Sequence, residues 1–129
     1  MEHQKYSGTA KMLRIYIGED DKWEGVPLYE AIVKKLRELD MAGATVLRGM
    51  MGYGARQRIH KSRLLALSTD LPIMITVIEK PEKIERLIPV LDEMVADGLI
   101  ALTDVEVIKY SHGEPGLEEF SLMPERPEK

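Results

Sequence analysis

The chain contains no cysteine. That absence excludes disulfides, thiolate zinc sites and cysteine nucleophiles together. Asparagine is also missing and glutamine occurs only at Gln4 and Gln57, while charged residues make up 31%; this balance fits a heat-tolerant source. No apolar stretch approaches the roughly 20 residues of a membrane span. The opening "MEHQKYSGTAKM" has no apolar core of the kind a signal peptide needs. A cytoplasmic protein with no direct membrane insertion is therefore expected. A basic surplus is lacking too: the formal net charge is −4, whereas nucleic-acid binding calls for a basic face on a basic domain. Aromatic residues amount to 5%. The expected strands offer only Tyr16 and Tyr110, too few to stack bases across an open sheet as RNA-recognition modules do.

Catalytic patterns are equally scarce. His3, His60 and His112 are far apart, and no HExxH, paired-histidine or EF-hand spacing occurs, so no metal site is predicted. Ser62, Ser68 and Thr69 have no base nearby in sequence to activate a nucleophile. Asp20, Asp21 and Glu24 precede a helix and fit the role of complementing its dipole. No GxxxxGK[ST] phosphate loop exists. These gaps favour a protein that is not an enzyme, with no catalytic residue to name.

What is present is a regular alternation of elements. At 129 residues and 44% hydrophobic content, one domain can bury a core of its own. "MLRIYI" (12–17) is β-branched and reads as a first strand. Pro27 suits the first turn of a helix whose Leu28, Ile32, Leu36 and Leu39 form one apolar stripe to about residue 40. "ATVLRGMM" (44–51) is a second strand and "PIMITVIE" (72–79) a third, with Pro72 at its start where no ladder donor is lost. Pro81 opens a second helix with Ile84, Leu87, Ile88, Leu91, Met94 and Val95 at helical spacing. Pro89 should kink it and Gly98 should end it as a left-handed cap. "IALTDVEVIKY" (100–110) is a fourth strand, broken near Asp104.

The order strand–helix–strand–strand–helix–strand predicts an α+β fold, the ferredoxin-like βαββαβ sandwich with an antiparallel sheet and both helices on one face. Residues 1–11 are expected as a flexible N-terminal segment, 12–110 as the domain with a long loop at about 52–71, and 111–129 as an acidic tail containing proline and glycine. The strands are apolar at both parities: Leu13, Ile15 and Ile17 interleave with Met12 and Tyr16. A solvated face would be polar, so the second face is expected to be covered by other subunits.

One stretch stands apart from this pattern. "VLRGMMGYGARQRIHKSR" (46–63) follows strand residues with Gly49, Gly52 and Gly54, then Arg56, Arg58, His60, Lys61 and Arg63 without an acid among them. An isolated basic run is usually a solvated loop, and glycines at a strand end can mark a bulge or bend.

In combination with its surroundings the stretch resembles a family. "GATV" (43–46), "GYGARQRIH" (52–60) and "DGLIALTDVEVIKYSHGE" (97–114) are similar to the nitrogen-regulatory PII signal proteins in the same order. "RIYIGEDDKWEGVPLYEAI" with "GATVLRGMMGYG" is more similar still to the PII-like family known as domain-of-unknown-function family 190. The resemblance covers about residues 12–114. It implies a homotrimer with sheets packed around a central axis, and adenine-nucleotide sites in the clefts between subunits. There the base of the long loop would meet the turn between the second helix and fourth strand of a neighbour. By position, Gly52, Gly54, Arg56 and Gln57 match the ligand-contacting loop, with Arg58 as a further phosphate cation. Thr45 falls beside the base, Gly98 and Leu99 in the turn, and Lys109 near the phosphates. Arg48 and Gly49 come from the closer family's own pattern. The glycines would let backbone amides approach phosphate oxygens, and arginine would add charge-assisted bonds.

Three departures refine the expectation. Ala55 is inserted between Gly54 and Arg56, shifting the register of Arg56 and Gln57. Leu99 replaces a lysine of the PII pattern and Ser111 an arginine, which removes two cations for the outer phosphates; AMP or ADP is thus favoured over ATP. No tyrosine follows His60 in the loop, so nucleotidylation there is not expected, and Gln57 alone does not establish binding of 2-oxoglutarate and magnesium. The resulting expectation is a trimeric regulatory protein that binds an adenine nucleotide and signals through its loop to a protein target such as a membrane transporter. The alternatives are a slow nucleotide-hydrolysing enzyme and a ligand-free assembly protein.

Overall fold

The computed structural model describes residues 5–54, 60–61 and 70–111. In chain order they form β1 (Lys5–Gly18), β2 (Lys22–Trp23), β3 (Val26–Pro27), α1 (Leu28–Glu38), β4 (Thr45–Arg48), β5 (Met51–Gly52), β6 (His60–Lys61), β7 (Pro72–Glu79), α2 (Pro81–Met94) and β8 (Leu99–Ser111). The chain divides into two compact units, residues 10–105 and residues 1–9 with 106–129. Of the second unit, the described parts are the start of β1 and the end of β8, where Ile108 and Tyr110 are exposed.

The larger unit is built on a four-stranded sheet of order β4-β7-β1-β8. β1 and β7 pair antiparallel with Leu13 opposite Val77, Ile15 opposite Ile75 and Ile17 opposite Ile73. β4 pairs antiparallel with β7 on its other side, Val46 opposite Ile75. β8 also runs against β1: Gly98, just before its start, abuts Tyr16 and Ile17, whereas Asp104 further along pairs with Lys11. With one helix after β1 and the other after β7, this is the ferredoxin-like order expected from the sequence.

Alternation along the strands selects the face that the helices cover. Leu13, Ile15 and Ile17 of β1 and Ile73, Ile75 and Val77 of β7 are buried against Leu28, Ile32 and Leu36 of α1 and Ile84, Leu87 and Leu91 of α2. The helical stripes are those of the sequence pattern except at two positions. Leu39 and Ile88 stay about one-third exposed, Leu39 because α1 ends before it and Ile88 because it follows Leu87 around to the outer face of α2. The opposite sheet face carries Met12, Arg14 and Tyr16 of β1, Met74, Thr76 and Ile78 of β7, and Thr45 and Leu47 of β4. Among the described residues no helix is long and apolar enough to cross a membrane.

Several boundaries differ from the sequence expectation. β1 begins at Lys5 rather than Met12, so residues 5–11 of the expected flexible segment lie in a strand. The second strand is divided at Gly49 and Met50 into β4 and β5. α2 ends at Met94, with Val95 as its cap; Gly98 is therefore not the helix cap. β8 is continuous through Asp104, whose side chain is held by Lys11. The loop 18–25 contains a small hairpin instead of irregular chain. Trp23 pairs with Val26, and Glu24 and Gly25 adopt φ of 49° and 87°, the two positive angles of a type I′ turn. Glu24 thus serves the turn and not the helix dipole. The expected tail 112–129 lies outside the described residues.

Candidate functional site

Of the candidates, Arg48, Gly49, Gly52, Gly98 and Leu99 lie at one end of the sheet, where β1 and β4 finish and β7 and β8 begin. The segment Gly18–Asp21 is the hub of this end. Asp21 turns back so that its Oδ2 accepts from the Gly18 amide at 2.9 Å, and its carbonyl accepts from the Leu28 amide at 2.7 Å. The acid expected to complement the helix dipole therefore closes a turn and ties it to the start of α1. Asp70, at the far end of the long loop, accepts from the Asp20 amide at 2.9 Å. The Glu19 amide donates to the Leu71 carbonyl at 2.8 Å.

The near end of the loop is tied to the same place. Arg48, the last residue of β4, donates from Nη1 to Glu19 Oε2 at 2.8 Å, while Glu19 Oε1 is buried and has no hydrogen-bond partner. The Gly49 amide donates to the Pro72 carbonyl at 2.7 Å. A Cβ on Gly49 would stand 2.8 Å from Pro72 Cγ, and one on Gly52 3.1 Å from the same atom. The proline ring is thus packed directly on glycine backbone, and this close approach accounts for the break between β4 and β5. Gly52 then pairs with His60 across the β5–β6 ladder. Gly54 is exposed, and a Cβ there would meet nothing within 4 Å. Packing therefore accounts for Gly49 and Gly52 but not for Gly54.

On the other side of β1 lies the turn between α2 and β8. Gly98 has φ of 156°, and a Cβ on it would lie 2.6 Å from the Tyr16 carbonyl oxygen. Leu99 beside it is 57% exposed, as an apolar side chain unsupported by its own chain. The loop base and this turn therefore occupy the same end of the sheet but opposite edges, β4 and β8. Three strand spacings of about 4.8 Å separate edges so arranged, roughly 14 Å. A single chain does not bring Arg48, Gly49 and Gly52 together with Gly98 and Leu99.

The remaining candidates fall elsewhere. Thr45 is at the other end of β4, exposed, opposite Thr76. Lys109 belongs to the smaller unit, in the last part of β8. Arg56, Gln57 and Arg58 lie outside the described residues. An open groove of about 360 Å³ between α1 and β4 is lined by Tyr29, Glu30, Val33, Lys34, Arg37 and Val46; it contains none of the candidates. No cluster of metal-ligating side chains occurs among the described residues.

Sequence reasoning passed over Glu19, Asp70 and Glu79. Glu79 is buried, and its carboxylate accepts from the amides of Ala42 at 2.8 Å and Lys80 at 2.9 Å, with Lys83 Nζ 3.5 Å away. It fixes the turn that leads from α1 into β4. An acid at the helix-facing parity of an apolar strand was the available signal, since such a group is retained only when bonded.

Residues 10–107 match the model of a family described as "DUF190: Uncharacterized ACR, COG1993". A UPF0166 protein of Aquifex aeolicus is 41% identical over 100 residues, covering 76% of this chain and 92% of that protein. Another from Methanocaldococcus jannaschii is 41% identical over 101 residues, covering 78% and 93%. Among solved structures, CPII, a nitrogen regulatory PII-like protein from Thiomonas intermedia K12 bound to ADP, AMP and bicarbonate, superposes with a TM-score of 0.61 at 20% identity, covering 81% of this chain and 91% of that one. A PII-like signaling protein from Thermus thermophilus gives a TM-score of 0.58 at 16% identity, covering 79% and 92%.

Proposed function

Because the chain belongs to the DUF190 family and has the PII-like fold, we propose that it is a trimeric regulatory protein that binds an adenine nucleotide between subunits. The observation that carries this reading is the division of the candidate site. The loop base sits on edge β4 and the Gly98 turn on edge β8 of the same sheet end, so a cleft uniting them needs a neighbour's β8 beside this chain's β4. CPII, of the same fold, holds ADP and AMP, which supports a nucleotide as the ligand. The face carrying Leu47 and Ile78, which are exposed, and Met12, Tyr16 and Met74, which are half-buried, supports assembly, because apolar surface left open to solvent marks an interface.

In this reading Arg48, Gly49 and Gly52 shape the cleft wall, and Gly54, Arg56, Gln57 and Arg58 reach the phosphates; Thr45, at the other end of β4, and Lys109, in the smaller unit, are left out of this cleft. Leu99 presents no charge where outer phosphates would lie, so AMP or ADP binds at least as tightly as ATP. Occupancy alters the long loop and through it a protein target. Titration calorimetry of AMP, ADP and ATP at one salt concentration tests the ligand, since phosphate contacts weaken with screening. ATP binding tenfold tighter than AMP, about 1.4 kcal/mol, refutes the preference; no binding of any of the three refutes the nucleotide. Light scattering at micromolar concentration tests the assembly, with a mass of three chains expected.

A further inference from the structure

In β1, β4 and β7 the sheet face opposite the helices carries Met12, Tyr16, Leu47, Met74 and Ile78, with one polar cross-strand row among them. Thr45 stands opposite Thr76 and Thr76 opposite Arg14, so two hydroxyls and a guanidinium line up across β4, β7 and β1, within about 10 Å. Arg14 Nε is already buried within the single chain and has no hydrogen-bond partner. The acids in the strands of the larger unit do not serve it: Glu79 sits at the helix-facing parity of β7 and Asp104 is held by Lys11.

This inference rests on the assembly proposed above. If the face packs against the same face of other copies, what each neighbour brings is more apolar surface, more threonine and another Arg14. A guanidinium taken out of water needs a counter-charge and acceptors for its donors. Among the described residues of the larger unit, the face supplies no such charge. We propose that Arg14, with Thr76 beside it, forms a binding site for a small oxyanion taken from solution and enclosed between subunits. The planar guanidinium fork matches two oxygens of a carboxylate or phosphate, and a threonine hydroxyl adds a donor to the same oxygens. The site is distinct from the proposed nucleotide cleft, which lies at the sheet's end and edges.

The test measures mass by light scattering, and thermal unfolding in acetate or inorganic phosphate at fixed ionic strength. It uses the full chain and its Arg14→Met, Arg14→Lys and Thr76→Val variants. The wild type should be a trimer whose melting temperature rises saturably, by about 4 °C at ten times the dissociation constant. Arg14→Met should abolish the rise, and Arg14→Lys and Thr76→Val should each weaken apparent affinity several-fold. The relative response to the two anions identifies which oxyanion the site prefers. A trimer with no saturable rise overturns the site while leaving the assembly intact. So does a rise retained in full by Arg14→Met, which would put the anion elsewhere. A monomeric wild type overturns the assembly and the site with it. Should Arg14→Met fail to fold, unchanged affinity in both Arg14→Lys and Thr76→Val is the refuting result.

Discussion

Gly98→Ala should destabilise the fold whether or not any ligand is bound. The added methyl would sit 2.6 Å from the Tyr16 carbonyl oxygen, 3.0 Å from Val95 Cγ1 and 3.1 Å from Ile17 Cγ2. An ordinary carbon–oxygen contact needs about 3.3 Å or more. The two side chains can yield by tenths of an ångström, but Tyr16 lies in β1, held between β7 and β8, so its carbonyl cannot. The turn must retreat instead, at a cost of about 1–3 kcal/mol for overpacking. The positive φ of 156° adds backbone strain of order 1 kcal/mol for a residue with a side chain. The expected total is about 2–4 kcal/mol, or a drop in the urea midpoint of roughly 1–2 M. Gly43→Ala is the control, because a Cβ there meets nothing and its φ is not positive; it should be neutral or slightly stabilising. A Gly98→Ala midpoint within the error of the Gly43→Ala control would mean that the turn moves freely and that contact with Tyr16 does not require the glycine.

Glu79→Ala removes the acceptor of two amides that fix the turn between α1 and β4, and should cost about 2–3 kcal/mol in urea unfolding; a loss under about 0.5 kcal/mol would show that water replaces the carboxylate. Glu24→Asn should stabilise by about 0.5 kcal/mol, because asparagine accepts the first position of a type I′ turn more readily than glutamate; a lower melting temperature contradicts the turn assignment. Gly54→Val should leave stability and trimer mass unchanged, since its Cβ points into open space, while weakening nucleotide affinity by restricting the loop backbone. Unchanged calorimetric affinity would remove Gly54 from the site.

Much of the fold was legible because burial repeats at a fixed period. β7 has the bounds that its run of Ile73, Ile75 and Val77 predicted, and the helical stripes identified Leu28, Ile32, Leu87 and Leu91 as core. What escaped depends on contacts between distant parts of the chain. The division of the second strand follows from the Pro72 ring resting on Gly49, and Gly98 reads as a helix cap until Tyr16 is seen beneath it. The small hairpin was hidden by its length, as two residues a side give no alternation to detect. The candidate site was legible as motifs and not as a place. The glycines and the turn were found, but no sequence signal reveals that they occupy opposite edges of one sheet, nor that Arg48 is already engaged by Glu19.

The clasp at the base of the long loop separates two kinds of selection on this chain. Gly49 is bonded to Pro72, Asp20 to Asp70, and Glu19 to both Arg48 and Leu71, so the ends of the segment 50–71 are brought together by the sheet and the Gly18–Asp21 turn. Doubling the length of a loop anchored in this way adds only about 0.6 kcal/mol of closure entropy. The stretch between Gly52 and Asp70 can thus be lengthened, shortened or rewritten with little effect on the folding of the domain beneath it, as long as Gly52, Asp70 and Leu71 are kept. If the loop carries recognition, as proposed above, a stretch transplanted from a relative between Gly52 and Asp70 should bring its specificity with it and leave the fold unchanged.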